Sequence, residues 1–228
     1  MMHVALAPRT PSIATSLAVA RLDDLSAIVE PHLDVVVLRR PRPVATSAYA
    51  AYVARETRVA WRAVTSFVPE EGGLEELDDL ARALPPDDGR DALIEDIALW
   101  AEVMSDLTGF ERLGVRLARL DAPMCPRFHI DRVGLRLVVT YAGPGTEWLE
   151  ERDVDRAFLG ARGHSIAPER SVDAGVRRHA RPCRAEPFDV VLLKGDGWPG
   201  NERRGAVHRS PASGPSEPRL VLTIDLVD

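Results

Sequence analysis

Apolar side chains in the first half of the chain recur mainly at helical spacing. After a short apolar run at residues 33–38, which predicts a strand, the pattern indicates helices at about residues 45–67, 73–84 and 91–107. Prolines follow the strand at 33–38 and the helix at 73–84, and Gly109 follows the helix at 91–107. Residues 1–111 are therefore predicted to be mainly helical.

Beyond Gly109 the hydrophobic period changes from about 3.6 residues to about 2 residues. The alternation predicts strands at residues 115–120, 135–141, 188–194 and 219–225, separated by turns rich in glycine and proline. Helices followed by short strands indicate an α+β fold whose sheet closes as a small barrel or jelly roll. We interpret residues 1–228 as one domain, with a strand-rich core at 112–228 and an insertion or lid near 150–185.

Composition excludes several classes of protein. With 45% hydrophobic and 28% charged residues, and no apolar run near the roughly 20 residues of a membrane helix, neither wholesale disorder nor a membrane-spanning chain is expected. The N-terminus lacks the pattern of a signal peptide. The two cysteines, Cys125 and Cys183, cannot form a disulfide framework, so we expect a cytoplasmic protein with reduced thiols.

Charge argues against nucleic acid as a partner, because the net charge is −6 and the isoelectric point is about 5.6. The distribution is nevertheless uneven: residues 112–184 hold 14 arginines against 9 acids. This half offers a local basic surface to a small anionic ligand. The alternative is an ordinary solvated surface.

The sharpest local pattern is Phe128-His129-Ile130-Asp131. In an extended segment His129 and Asp131 point to one side, since residues i and i+2 share a face. An imidazole beside a carboxylate supplies two of the three ligands in the facial triad that binds Fe(II). His208 is the candidate third ligand, because it precedes the final strand; the alternative is a loop histidine bonded to backbone.

A metal bound by these residues would require both imidazoles to be neutral, so metal binding should weaken as pH falls through about 6.5. The second ring nitrogen of each histidine should form a hydrogen bond with a carbonyl or a carboxylate.

The final predicted strand opens with Arg219, which shares a face with Val221, Thr223 and Asp225. An arginine on the less apolar face of a strand is placed to hold a dicarboxylate through paired hydrogen bonds. The alternative for Arg219 is a surface salt bridge.

Two resemblances extend these inferences. The order His-x-Asp, a strand into Thr140-Tyr141, Lys194-Gly195-Asp196, His208 and Arg219 resembles the Fe(II)/2-oxoglutarate dioxygenases over roughly residues 110–228. The residues of three segments are similar to the bacterial family called domain of unknown function 1826 (DUF1826), and the similarity extends over most of the chain. This family is defined by sequence alone, so the resemblance implies no particular reaction. These segments are CPRFHIDRVGLRLVVTYAGPGTEWL, VVLLKGDGWPGN and VHRSP.

The dioxygenase resemblance implies a fold, a cofactor and roles. N-terminal helices would pack on a double-stranded β-helix of the jelly-roll or cupin type. His129, Asp131 and His208 would be the catalytic metal ligands for Fe(II). Arg219 would bind the distal carboxylate of 2-oxoglutarate, with Tyr141 or Arg136 adding a hydrogen bond. The expected activity is an Fe(II), 2-oxoglutarate-dependent oxygenase acting on an unknown small molecule or peptide.

A rival metal site uses the cysteines, in mirror-image pairs. Cys125-x3-His129 and His179-x3-Cys183 would together ligate a structural zinc. A mixed site would instead add Cys125 to the His/Asp/His set, which suits zinc homeostasis or metal delivery without catalysis. Whether the chain is an enzyme therefore stays open on sequence alone, and the thiol of Cys125 is the discriminating feature.

Overall fold

A computed structural model of the chain describes residues 14–66, 76–159, 173, 175–202 and 204–227. Within these ranges, three 3-10 helices (Leu22–Val29, Glu151–Asp153 and Arg156–Phe158) accompany the main elements. In chain order these are β1 (Ser16–Val19), β2 (Val35–Leu38), α1 (Val44–Glu56), β3 (Ala60–Ser66), α2 (Glu76–Ala83), α3 (Asp88–Thr108), β4 (Arg112–Leu120), β5 (Leu135–Ala142), β6 (Glu147–Trp148), β7 (Cys183–Arg184), β8 (Val190–Lys194), β9 (His208–Arg209) and β10 (Arg219–Leu226).

Seven strands form one sheet in the order β1-β2-β8-β5-β10-β4-β3. All neighbours are antiparallel except β1 and β2, which run parallel. The four strands predicted after Gly109 correspond to β4, β5, β8 and β10, and they lie side by side in this sheet. The change of hydrophobic period therefore located the core strands correctly.

The helices pack on one face of this sheet. On α3, buried Leu93, Ile97, Trp100 and Met104 recur at intervals of three and four residues and join the main hydrophobic core. The side chain of Asp87 caps the first turn by accepting a hydrogen bond from the Gly89 amide at 3.0 Å. α3 is thus held by burial of one apolar stripe, which contributes roughly 1.5–3 kcal/mol for each large side chain.

The predicted helix over residues 45–67 is wrong in its second half. α1 ends at Glu56, and Ala60–Ser66 form β3, which pairs with β4 along seven residues. Trp61 packs against the main core, whereas Arg62 and Val64 are exposed on the opposite face, so the side chains here alternate. Pairing with β4 stabilises this strand. Residues 1–111 therefore supply three strands of the sheet, and the start of the helix predicted at 73–84 lies outside the described residues.

A second sheet, in the order β7-β6-β9, lies against the other face of the large sheet. Trp148, Ala185 and Ala206 pack there against Val138, Val221 and their neighbours in a second apolar cluster. Hence β10 presents Leu220, Leu222 and Ile224 to the helices and Arg219, Val221 and Thr223 to the opposite side, which we call the pocket face. The fold is α+β, with helices on one face of a mixed sheet and a small sheet on the other.

The predicted insertion near 150–185 falls partly outside the described residues. Its described part contains two short 3-10 helices and β7. Within the described ranges, no helix combines the length and the apolar character that crossing a membrane requires.

Candidate metal centre and adjoining pocket

His129 and His208 meet across an isolated antiparallel bridge. The amide of each residue donates to the carbonyl of the other at 3.0 Å, and their ring centroids lie 4.5 Å apart. Asp131 follows two residues after His129, with its Oδ1 3.4 Å from the Nε2 of His129 and its Oδ2 3.2 Å from the Nε2 of His208. One ligand atom from each of the three side chains lies within 4.8 Å of the others. The three side chains therefore lie together as expected, and their binding of a shared metal stays a prediction.

The loop after β8 holds the backbone next to Asp131. The amide of Asp196 donates to the carbonyl of Asp131 at 2.9 Å, and the amide of Gly195 donates to the carbonyl of Gly134 at 3.0 Å. A Cβ at Gly195 would lie 2.0 Å from the carbonyl oxygen of Val133, so only glycine allows this approach. The Lys194-Gly195-Asp196 motif thus has a positioning role that the sequence analysis did not assign.

The second ring nitrogens are held by backbone carbonyls, as expected. Nδ1 of His129 lies 3.1 Å from the carbonyl oxygen of Arg127, and Nδ1 of His208 lies 3.1 Å from that of Ala206. A carbonyl only accepts, so each Nδ1 carries the proton and donates it. When neutral, both rings therefore direct the lone pair of Nε2 toward Asp131 and toward a shared cation.

Arg136 supports this centre and has a different set of contacts from the one predicted. Its guanidinium donates to Oδ2 of Asp131 and forms a two-pronged ion pair with Asp225, at 2.6 and 2.7 Å. Such a fork fixes the orientation of a carboxylate. Arg136 borders the pocket, and its contacts with Asp131 and Asp225 fix it beside the centre. That Arg136 also donates a hydrogen bond to 2-oxoglutarate stays a prediction.

Mutual charge strongly perturbs the titration of the centre. Burial tends to raise the pKa of Asp131, but His208, His129 and Arg136 together hold that pKa well below its usual range. Burial tends to lower the pKa of His129, yet hydrogen bonding to Asp131 and Cys125 raises it to about 10. A hydrogen bond with His129 in turn lowers the pKa of Cys125. Without a cation, the centre therefore holds a proton on His129 at neutral pH.

A pocket of about 440 Å³ adjoins the centre, between the pocket face and the segments that carry the two histidines. Arg219 borders it and is only 2% exposed. Its Nε donates to the carbonyl of Pro144 at 2.7 Å and its Nη2 donates to the hydroxyl of Thr140 at 3.2 Å. Among the described residues no carboxylate lies within salt-bridge distance of Arg219, and burial lowers its pKa to about 10. The surface salt bridge considered from sequence is therefore not what this arginine forms.

Tyr141 does not reach the pocket. It lies on the opposite face of β5, 1% exposed within the helix-facing core, where its hydroxyl donates to Oδ2 of Asp96 at 2.7 Å. Its ring packs edge-on against Phe188 with 5.3 Å between centroids. The expectation that Tyr141 hydrogen-bonds a bound keto acid is corrected, because strand alternation directs Tyr141 to the helices and Thr140 to the opposite face of β5.

The cysteines do not build the predicted zinc site. Among the described residues, the group of three or more metal-ligating side chains contains His129, Asp131 and His208, and neither cysteine belongs to it. Cys125 is half-buried beside the pocket, whereas Cys183 lies on β7 opposite Trp148. The Cys2His2 arrangement is therefore absent from the described part of the chain. Two imidazoles and one carboxylate remain, a donor set that fits Fe(II) with open coordination positions.

The protonation of His129 predicts how metal binding varies with pH. A cation must displace a proton held with a pKa of about 10, so affinity should rise about tenfold per pH unit through the neutral range and weaken as pH falls. The pH dependence of metal affinity should therefore continue well above pH 6.5, the pKa of an ordinary histidine. Calorimetric titration of Ni(II) between about pH 6 and pH 8.5, in buffers of different ionisation enthalpy, should detect one proton released from this residue per ion. An affinity that is flat above pH 7 would contradict the prediction.

Comparison with known proteins places the chain in a sequence family. A family model described as "Protein of unknown function (DUF1826)" matches residues 20–225. No curated protein matches the chain significantly. Among solved structures, the rice dioxygenase for auxin oxidation is 14% identical with a TM-score of 0.47, over 93% of this chain and 82% of that one. The 2-oxoglutarate complex of a dioxygenase for auxin oxidation from Arabidopsis thaliana is 9% identical with a TM-score of 0.49, over 94% and 92%. A Pseudomonas putida prolyl-4-hydroxylase is 16% identical with a TM-score of 0.39, over 90% and 95%.

Proposed function

The chain belongs to the DUF1826 family, and we propose that it is a non-haem Fe(II), 2-oxoglutarate-dependent oxygenase with a double-stranded β-helix core. One observation carries the proposal. The pocket that reaches His129 and His208 is also bordered by Arg219, a buried cation without a carboxylate partner among the described residues. A three-ligand metal centre and a buried guanidinium that border one pocket suit a dicarboxylate cosubstrate that binds beside a metal.

His129, Asp131 and His208 would hold Fe(II) through Nε2, a carboxylate oxygen and Nε2. Three protein ligands on one side leave other coordination positions open, in contrast to a closed structural site. Bound Fe(II) in such a site supplies oxygen activation coupled to oxidative decarboxylation of 2-oxoglutarate to succinate. Arg136 keeps Asp131 ionised and oriented, and the carbonyls of Arg127 and Ala206 keep the imidazoles in the ligating tautomer.

Arg219 would bind the distal carboxylate of 2-oxoglutarate. Burial of an unpaired guanidinium is unfavourable, which its lowered pKa reflects, and a carboxylate offsets that cost. The hydroxyl of Thr140 accepts a hydrogen bond from Nη2 of Arg219 and so helps to orient the guanidinium. Both residues lie on the pocket face, on neighbouring strands β5 and β10. The receptor is therefore preorganised by the sheet before the ligand arrives.

The two facing sheets, with the metal centre at a bridge to β9, support the double-stranded β-helix assignment. The substrate class proposed from sequence, a small molecule or a peptide, suits a pocket of about 440 Å³. Neither nucleic acid nor a membrane is proposed as a partner. Free thiols at Cys125 and Cys183 suit a reducing cytoplasmic setting, in which Fe(II) also persists.

Turnover of the keto acid tests the proposal. Protein purified anaerobically and loaded with Fe(II) should bind 2-oxoglutarate with unit stoichiometry and, after oxygen is admitted, form succinate slowly even without substrate. Reactions without iron, and reactions with Fe(II) in buffer alone, are the controls. Absence of both keto-acid binding and succinate would contradict the oxygenase. If the centre instead held Zn(II) tightly and released it on Cys125→Ser, the site would serve metal handling without catalysis.

A further inference from the structure

Arginine dominates the wall of the pocket. Five arginines and one acid, Asp225, line it. Three of the arginines are accounted for: Arg136 is paired with Asp131 and Asp225, Arg209 is paired with Glu147 and Asp173, and Arg219 is the proposed receptor for 2-oxoglutarate. Two cations, Arg62 and Arg116, remain without such a role.

Arg62 and Arg116 stand directly opposite each other on neighbouring strands. The register of β3 and β4 pairs these two residues, and the register of β4 and β10 pairs Arg116 with Thr223 on the pocket face. Side chains opposite each other in an antiparallel pair have Cβ atoms about 4.5–5.5 Å apart. Both guanidinium groups can therefore reach one small anion at the outer end of the pocket.

The two arginines have no acidic partner among the described residues. Within the described ranges no salt bridge involves either side chain, and the one side-chain contact of Arg116 there runs from Nη1 to the sulfur of Met124, at 3.4 Å. Asp225, two residues after the Thr223 that pairs with Arg116, is engaged by Arg136. Asp121, just after the end of β4, is engaged by Arg119 and Arg58. Like charges directly opposite each other destabilise a sheet. A bound anion would relieve that repulsion.

We infer that Arg62 and Arg116 bind an oxyanion group of the substrate, either a carboxylate or a phosphate ester. That this group belongs to the substrate rests on the proposed oxygenase function, whereas the binding of an anion by this pair does not. The exposed side chains of Val64 and Met124 border the same end of the pocket and offer apolar contact to the carbon chain that carries the group. The arginine pair would anchor the anionic end of the substrate and leave its remainder to extend toward the histidines.

Two small anions test the arginine pair directly. Inorganic phosphate and butanoate are titrated into metal-free full-length protein, and binding is followed by NMR of the arginine Nε–H groups and by calorimetry. At least one anion should saturate, and Arg62→Gln/Arg116→Gln should weaken it at least tenfold, as expected for loss of charge-assisted hydrogen bonds. The variant Arg62→Lys/Arg116→Lys should lose less, because it keeps both charges. Tighter binding of phosphate would identify the group as a phosphate ester, and tighter binding of butanoate would identify it as a carboxylate.

Matched variants separate this pair from general charge and from the keto-acid receptor. Arg21→Gln/Arg82→Gln removes the same charge from exposed arginines outside the pocket and should leave binding unchanged. Arg219→Gln shows how much of the signal comes from anion bound instead at the keto-acid receptor. The inference is overturned if neither anion saturates, if Arg62→Gln/Arg116→Gln binds like wild type, or if only Arg219→Gln abolishes binding. Anion binding at the pair without any succinate formation would reject the oxygenase and leave the anion site in place.

Discussion

Replacing Asp131 by alanine should abolish tight Fe(II) binding, with a loss in affinity of more than about 100-fold, beyond the range typical of outer-shell changes. Asp131 is the anionic member of the triad, and the two imidazoles beside it are neutral when they bind a metal. Without it the cation would lose its charge-compensating ligand and would face the guanidinium of Arg136 instead. Succinate formation should be lost with the metal.

The matched control for this variant is Asp225→Asn. Asp225 holds the other side of Arg136 but lies outside the ligand group, so its replacement should weaken metal binding by less than about tenfold. Metal content after anaerobic dialysis and circular dichroism at the wavelengths of helix absorption measure both outcomes. The helices should remain folded in both variants, because their core is built from apolar contacts on the other face of the sheet. Wild-type iron affinity in Asp131→Ala would show that the triad is not the metal site.

Replacing Arg219 by methionine should raise the dissociation constant for 2-oxoglutarate by about 100-fold or more and leave metal affinity unchanged. Two charge-assisted hydrogen bonds to a carboxylate contribute about 1.5–3 kcal/mol each, and about 1.4 kcal/mol corresponds to tenfold in affinity. Methionine fills a similar apolar volume without the charge. Since Arg219 is buried without an acidic partner among the described residues, the ligand-free variant should lose little stability. Denaturant unfolding measures the difference in unfolding free energy from wild type.

Tyr141→Phe provides the control for this second prediction. Its hydroxyl lies on the helix-facing side of β5, so 2-oxoglutarate affinity should stay within about twofold of wild type. The free energy of unfolding should fall by about 1 kcal/mol, because Asp96 loses a buried donor. Arg219→Met should therefore weaken 2-oxoglutarate binding with little loss of stability, whereas Tyr141→Phe should lower stability and leave 2-oxoglutarate binding nearly unchanged. A large loss of keto-acid affinity in Tyr141→Phe, with none in Arg219→Met, would reverse the assignment.

Local spacing in the sequence is enough to predict which side chains share a strand face and where the core strands lie. A period of two residues is a local property, so it located β4, β5, β8 and β10 and placed His129 beside Asp131. The same alternation grouped Arg219 with Val221 and Thr223. These predictions are confirmed because they depend only on backbone geometry within a few residues.

Contacts between distant segments determine which face of each strand packs on the helices and which strands pair with each other. Alternation separates Thr140 from Tyr141 but does not say which of them faces the helices, and the position of β5 in the sheet settled this. Pairing with β4 made a strand of residues whose apolar spacing predicted a helix, and it also set Arg62 opposite Arg116. Likewise, the pairing of Arg136 with two aspartates and the lack of a carboxylate near Arg219 among the described residues depend on contacts between distant segments. Such contacts follow from sheet order and register, which are set by packing of the whole core and not by local spacing.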